Sequence, residues 1–162
     1  MKSTIVIASD HAGFRMKEFL KGKLDGAGYQ VEDFGTYNED STDTAPYAIR
    51  VGEEVAANPA KKMGILICGT GLGMSIAANK VNGIRASLVH DLFSAHATRE
   101  HNDANVLCMG ARVISENMGW EIAKVWLTTE AFGPEVGGGK YRRRVEQIID
   151  YENHISLVEE LL

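Results

Sequence analysis

The sequence predicts an α/β domain built on a five-stranded, mostly parallel sheet. Short apolar runs alternate with longer segments of helical period, the pattern of strands joined by crossover helices. Ile65-Leu66-Ile67 is apolar at consecutive positions, as expected of a central strand covered by helices on both faces. A chain of 162 residues, 44% of them hydrophobic, suffices for one sizeable core and is too short for two ordinary domains.

In chain order, strands are expected near 4–8, 30–33, 63–67, 85–89 and 105–109. Helices are expected near 14–27, 46–57, 74–81, 92–100, 115–128 and 140–150. The three prolines and the scattered glycines fall at turns, and the Gly137-Gly138-Gly139 run reads as a flexible joint.

A net charge of -5 gives no diffuse attraction to nucleic acid or to an anionic membrane, so neither is expected as a partner. The Ile5-Val6-Ile7-Ala8 run is too short for a signal segment or a membrane span. Cys68 and Cys108 form no CxxC pair or Cys/His cluster, which argues against a disulfide framework or a zinc site. A reducing compartment fits, and the cytoplasm is the expected location. Cys108, within an apolar strand, reads as core.

In a parallel sheet, ligands collect beyond the carboxyl ends of the strands, so the segments that follow strands carry the chemistry. After the first strand comes Ser9-Asp10-His11-Ala12-Gly13. After the third comes Cys68-Gly69-Thr70-Gly71-Leu72-Gly73-Met74-Ser75. Glycine at 69, 71 and 73 lets the backbone turn tightly and present several N–H groups to one anion, with a helix start behind them. The spacing is not the G-x-G-x-x-G dinucleotide fingerprint, and its plainest reading is a tight turn. An unpaired cysteine is often inert filling, but Cys68 stands before this loop, in surroundings that favour a thiolate able to act as base or nucleophile. A cysteine phosphatase would need arginine at position 74, which is Met. A thioredoxin-like pair would need cysteine at 71, which is Gly. Acid–base chemistry is the better option.

Arg99-Glu100-His101-Asn102-Asp103-Ala104-Asn105 is densely polar just before a buried strand, although a helix-terminal histidine often serves only as a C-cap. His96 and His101 lie five apart, not at the i, i+4 spacing of two metal ligands on one helix face, so zinc is not expected. His90 and His154 read as surface or interface residues. Lys140-Tyr141-Arg142-Arg143-Arg144 would ordinarily be a solvated helix face. Lys140 and Arg144 lie one turn apart and together could grip a phosphate, with Arg142 and Arg143 pointing elsewhere.

Three segments, Ser-Asp-His-Ala-Gly from 9, Ile-Cys-Gly-Thr-Gly-Leu-Gly-Met-Ser from 67 and Arg-Glu-His-Asn-Asp-Ala-Asn from 99, resemble the type B ribose-5-phosphate isomerases, in the family that also holds the allose- and galactose-6-phosphate isomerases. The likeness runs from about residue 4 to residue 150. It implies a three-layer αβα, Rossmann-like domain without metal or cofactor, working as a homodimer or a dimer of dimers with each site built from two subunits. It implies interconversion of ribose 5-phosphate and ribulose 5-phosphate through an enediolate, with Cys68 as the base at C2 and Thr70 moving protons between the sugar oxygens. Gly69, Gly71 and Gly73 would hold the enediolate. Asp10 and His101, with Asn102 beside them, would open the ring, and His11, Arg112 and Arg144 would bind phosphate. The family's other branch has glutamate at the position of Ser75 and lacks the cysteine, so this chain resembles the cysteine branch.

Two departures bear on the substrate. Relatives usually have Asp-Tyr-Pro where this chain has Asp43-Thr44-Ala45-Pro46-Tyr47, so either Tyr47 takes the place of that tyrosine or the pocket prefers another sugar. Lys140 stands where arginine is usual, offering a point charge instead of a fork. The alternatives are thus an isomerase of another phosphosugar (allose 6-phosphate, galactose 6-phosphate or a tetrose phosphate) or a non-catalytic phosphosugar-binding module. The domain is read as 1–150, with 151–162 an extension whose Ile155, Leu157, Val158, Leu161 and Leu162 suggest a helix packed on a partner subunit.

Overall fold

Along β1 (Thr4–Ser9), Ile5 and Ile7 face one helical layer while Val6 and Ala8 face the other, so the run from Ile5 to Ala8 is buried and apolar throughout. The same holds for Ile65 and Ile67 against Leu66 and Cys68 in β3 (Lys62–Cys68), and for Leu107 and Met109 against Val106 and Cys108 in β5 (Val106–Gly110). With β2 (Val31–Asp33) and β4 (Ala86–Leu88) these form one sheet in the order β2-β1-β3-β5-β4, every pairing parallel. The structure, a computed structural model, describes residues 2–133 and 138–154.

One layer holds α1 (Phe14–Gly26), α4 (Leu92–Asn102) and α5 (Glu116–Thr128), whose Leu20, Leu24, Ala95, Ile122 and Trp126 seal the first face. The other holds α2 (Ala45–Ala57) and α3 (Leu72–Ala78), with Val51, Val55, Met74 and Ala78. Each fully buried aliphatic side chain of this kind contributes about 1.5–3 kcal/mol. Asp91 and Ser115 cap α4 and α5 by accepting the N–H groups of Ser94 and Met118.

Most expected elements stand within two residues of their places. The helix expected over 74–81 starts earlier, because Gly71 turns the chain with φ +78°, and ends at Ala78, where the Asn79 amide takes the carbonyls of Ser75 and Ala86. The helix expected to stop at 100 continues to Asn102 and ends on Asp103, at φ +45°. The expected glycine joint is corrected in part. Gly138 and Gly139 open α6 (Gly138–Glu152), which packs against α4, whereas Gly137 lies outside the described residues. Of the expected extension over 151–162, positions 155–162 lie outside them too.

The chain runs from β1 out to β2, then crosses to β3 on the other side of β1. Helices α1 and α2, the crossovers on either side of that switch, sit on opposite faces and leave a crevice between the carboxyl ends of β1 and β3, where ligands of such sheets collect. Register Ser9↔Ile67 brings the next residues, Asp10 and Cys68, to that point.

Candidate active site

Asp10 is 5% exposed and caps the single 3-10 turn His11–Gly13. Its Oδ1 accepts the N–H groups of Ala12 (2.9 Å) and Gly13 (3.1 Å), and its Oδ2 accepts the hydroxyl of Thr44 (3.1 Å). The Asp10 N–H donates to the carbonyl of Ile67 (3.2 Å), tying it to the strand end that carries Cys68.

Cys68 Sγ accepts the N–H of Gly71 at 3.0 Å, so the glycine loop aims a donor at the sulfur. Leu72 N–H reaches Thr70 Oγ1 at 3.4 Å. Two N–H groups of the expected anion cradle therefore serve the loop's own thiol and hydroxyl. Helix α3 is only seven residues long, so the loop itself must supply most of the anion attraction. The loop lies against the end of β5: a Cβ on Gly110 would stand 2.7 Å from the Thr70 carbonyl carbon, an approach only glycine permits. Arg112 donates its N–H to the Gly69 carbonyl (2.9 Å), and its side chain lies across Gly69.

His11 Nδ1 accepts the N–H of Thr42 (3.3 Å), which places the proton of the neutral ring on Nε2, the nitrogen left for a ligand. His90, read from sequence as a surface or interface residue, is half-buried and accepts the N–H of Gly110 on Nε2 (3.0 Å), extending the ladder where β4 has ended. The Tyr47 ring packs over Gly35 and its hydroxyl meets Thr42 Oγ1 (3.3 Å), while Thr44 faces Asp10. Cys108 is fully buried, and burial pushes its thiol far up, helped by the neighbouring Cys68. That is the state of an inert core cysteine.

The sequence-selected residues separate into two groups. Asp10, His11, Cys68, Gly69, Thr70, Gly71, Gly73 and Arg112 gather at the carboxyl end of the sheet. Helix α4 starts at that end, after β4, and runs back to the amino end, where Asn105 pairs beside Gly64. Its eleven residues span about 16 Å, and Cys68 lies about 13 Å along β3 from Gly64. His101 and Asn102 are therefore at the opposite end from Cys68 of the same chain. Lys140 and Arg144 join them there. His101 stacks on Tyr141 with ring centroids 4.1 Å apart, and both cations lie over that ring, Lys140 Nζ at 5.3 Å and Arg144 Cζ at 5.9 Å. His101 Nε2 also meets Glu100 Oε2 at 3.2 Å.

His90 is the residue that sequence reasoning missed as part of this site; the resemblance placed Thr44 at the sugar pocket, but not its bond to Asp10. For that bond the local signal was a hydroxyl residue opening a helix before Ala-Pro, which identifies a cap but not a partner 34 residues away. Among the described residues, no group of three or more His, Cys, Asp or Glu side chains could hold a metal ion, and no helix is long and apolar enough to cross a membrane.

A family model described as Ribose/Galactose Isomerase matches residues 5–148. The chain is 41% identical over 148 residues to the ribose-5-phosphate isomerase B of Escherichia coli (strain K12), covering 91% of this chain and 95% of that one. It is 42% identical over 155 residues to D-erythrulose-4-phosphate isomerase 2 of Mycolicibacterium smegmatis, covering 94% and 99%. The crystal structure of ribose-5-phosphate isomerase B from Mycoplasma genitalium with bound ribulose 5-phosphate matches it with a TM-score of 0.88 at 37% identity, covering 94% and 98%. With a family match over nearly its whole length and the parallel fold of those enzymes, the chain belongs to the ribose/galactose isomerase family.

Proposed function

We propose that this enzyme interconverts ribose 5-phosphate and ribulose 5-phosphate through an enediolate, with Cys68 as the base. The observation that carries the reading is Cys68 Sγ, held by the Gly71 N–H at the switch point beside the thrice-bonded carboxylate of Asp10. Removing a proton next to a carbonyl requires stabilising the enediolate as it forms, and preorganised N–H groups of the 69–73 loop do so without rearrangement. Thr70 moves protons between O1 and O2, and Asp10 assists ring opening. His11 and Arg112 hold the phosphate, anchoring the far end of the sugar so that binding energy orients its reacting carbons.

The second group of residues completes the site from another copy of the chain. His101, Asn102, Lys140 and Arg144 lie at the wrong end of their own sheet, so a homodimer, or a pair of dimers, supplies them across the interface. Exposed apolar side chains beside the loop support such a contact: Ile76 on α3 is 62% exposed and Phe93 at the start of α4 is 80% exposed. Both cysteines are free and buried, which fits a cytoplasmic setting.

A Cys68→Ala variant is expected to lose about 10²–10⁴-fold in kcat on ribose 5-phosphate, the usual contribution of a positioned base. Retained turnover would remove Cys68 from the mechanism. Thr44 and the tetrose-phosphate name of the mycobacterial relative favour a second reading that keeps the chemistry and changes the sugar. Turnover of erythrose 4-phosphate, allose 6-phosphate and galactose 6-phosphate beside ribose 5-phosphate decides between them.

A further inference from the structure

We infer that Thr44 is a positioning residue for ring opening, acting through the carboxylate of Asp10; the inference rests on the isomerase reading above. Thr44 occupies the N-cap of α2, where a threonine hydroxyl ordinarily accepts an N–H of the first turn. Pro46 has no N–H to offer, but Tyr47 stands at the usual capping position. The hydroxyl makes no cap bond and turns instead to Asp10 Oδ2, 34 residues away. A hydroxyl diverted from its local role to a buried carboxylate is a local rule broken at a site, where such exceptions concentrate. On its other side Thr44 meets the glycine loop, its Cγ2 lying 3.4 Å from where a Cβ of Gly73 would stand. It therefore bridges the two walls of the crevice.

The consequence for Asp10 follows from counting acceptor positions. A carboxylate offers about four lone-pair sites. Ala12 and Gly13 occupy two on Oδ1 and Thr44 one on Oδ2, which fixes the carboxylate plane and leaves a single site on Oδ2 for a sugar hydroxyl. In ring opening, the anomeric O1–H gives its proton to Oδ2 as the C1–O4 bond breaks. The electron pair of that bond goes to O4, which takes a proton from solvent, and C1 and O1 become the carbonyl. Asp10 then returns its proton to solvent. Without the Thr44 hydroxyl, Oδ2 is held by no donor of this kind and the geometry for O1 is lost.

The test isolates ring opening from the proton transfer at C2. In the Cys68→Ala protein, isomerisation is blocked, and exchange between the α and β anomers of ribose 5-phosphate, followed by NMR, reports ring opening alone. That protein is expected to speed the exchange. Adding Thr44→Val should slow it by about tenfold to a hundredfold, the scale of misplacing a catalytic group by about 1 Å. Thr44→Ser should restore it, since serine keeps the hydroxyl and loses only the methyl. Unassisted exchange in the Cys68→Ala protein, unchanged exchange with valine, or no rescue by serine would each overturn the role of Thr44. Lack of ribose 5-phosphate turnover by the unaltered enzyme is a separate result, which would overturn the substrate reading first.

Discussion

Gly71 shows how much a single residue holds in this site. It sits at φ +78°, and its N–H is the donor to Cys68 Sγ. A Cβ there would lie 2.4 Å from Leu88 Cδ1 and 2.9 Å from the Met109 carbonyl carbon, one of them rigid backbone. Gly71→Ala thus combines left-handed strain of about 1–2 kcal/mol with overpacking of about 1–3 kcal/mol. It is expected to lower stability by at least about 2 kcal/mol and to cut kcat as the loop moves off the sulfur. Gly22, inside α1 with nothing within 4 Å of its virtual Cβ, is the control. Gly22→Ala should stabilise by about 1 kcal/mol and leave kcat alone. Urea unfolding with parallel turnover assays tests both, and equal stability of the two variants would contradict the steric account.

At the scale of elements, β2 is coupled to α1 through ions. Lys17 has no exposed side chain, and its ammonium lies 2.6 Å from both Asp33 Oδ2 and Glu18 Oε1, with Lys21 also 2.6 Å from Asp33. Asp33 Oδ1 accepts the N–H of Gly35, whose carbonyl receives the N–H of Ser9, so the cluster holds the chain that leads into Asp10. Burial pushes the Asp33 carboxyl up, but the two ammonium groups and the Gly35 N–H outweigh it and leave it below the usual carboxylate range. A carboxyl depressed in the folded state contributes stability that is fully present above its unfolded value of about 3.9 and is lost as pH falls through the folded value. Asp33→Asn leaves the buried Lys17 short of charge and is expected to cost about 3 kcal/mol at pH 7. At pH values below the folded value of Asp33 the two proteins should converge, because the native carboxyl is then neutral as well. Denaturant unfolding across that range checks the sign, and a constant gap would mean that the ion cluster is not the cause.

Elements were more legible than the contacts between them. The central strands β1, β3 and β5 were readable because both faces of each are buried, which turns a contact pattern into a continuous apolar run. Cys68, its glycines and Asp10 were readable because each motif lies within a few residues. The bond between Thr44 and Asp10 was not, since its two partners come from segments 34 residues apart. The end of α3 was missed because it depends on the Asn79 side chain reaching Ala86, a contact no local pattern reports.

The whole molecule sets the limit on what one chain can do. Parallel strands send each crossover helix back to the amino end, so a residue at the start of α4 lies at the same end of the sheet as Cys68 and one at its end lies about 14 Å further along the helix. The resemblance implied a site built from two subunits without saying which residues each supplies, and the direction of α4 sets His101 at the opposite end of the sheet from Cys68 of the same chain. A site shared between two copies has a quantitative signature. Cys68→Ala and His101→Ala homodimers should each be close to inactive. After subunit exchange at equal concentrations, about half of the dimers are mixed, and each mixed dimer carries one site with both substitutions and one with neither, so about a quarter of the unaltered activity should return. A self-contained site would give no recovery, because every chain in the mixture would still carry a damaged site of its own.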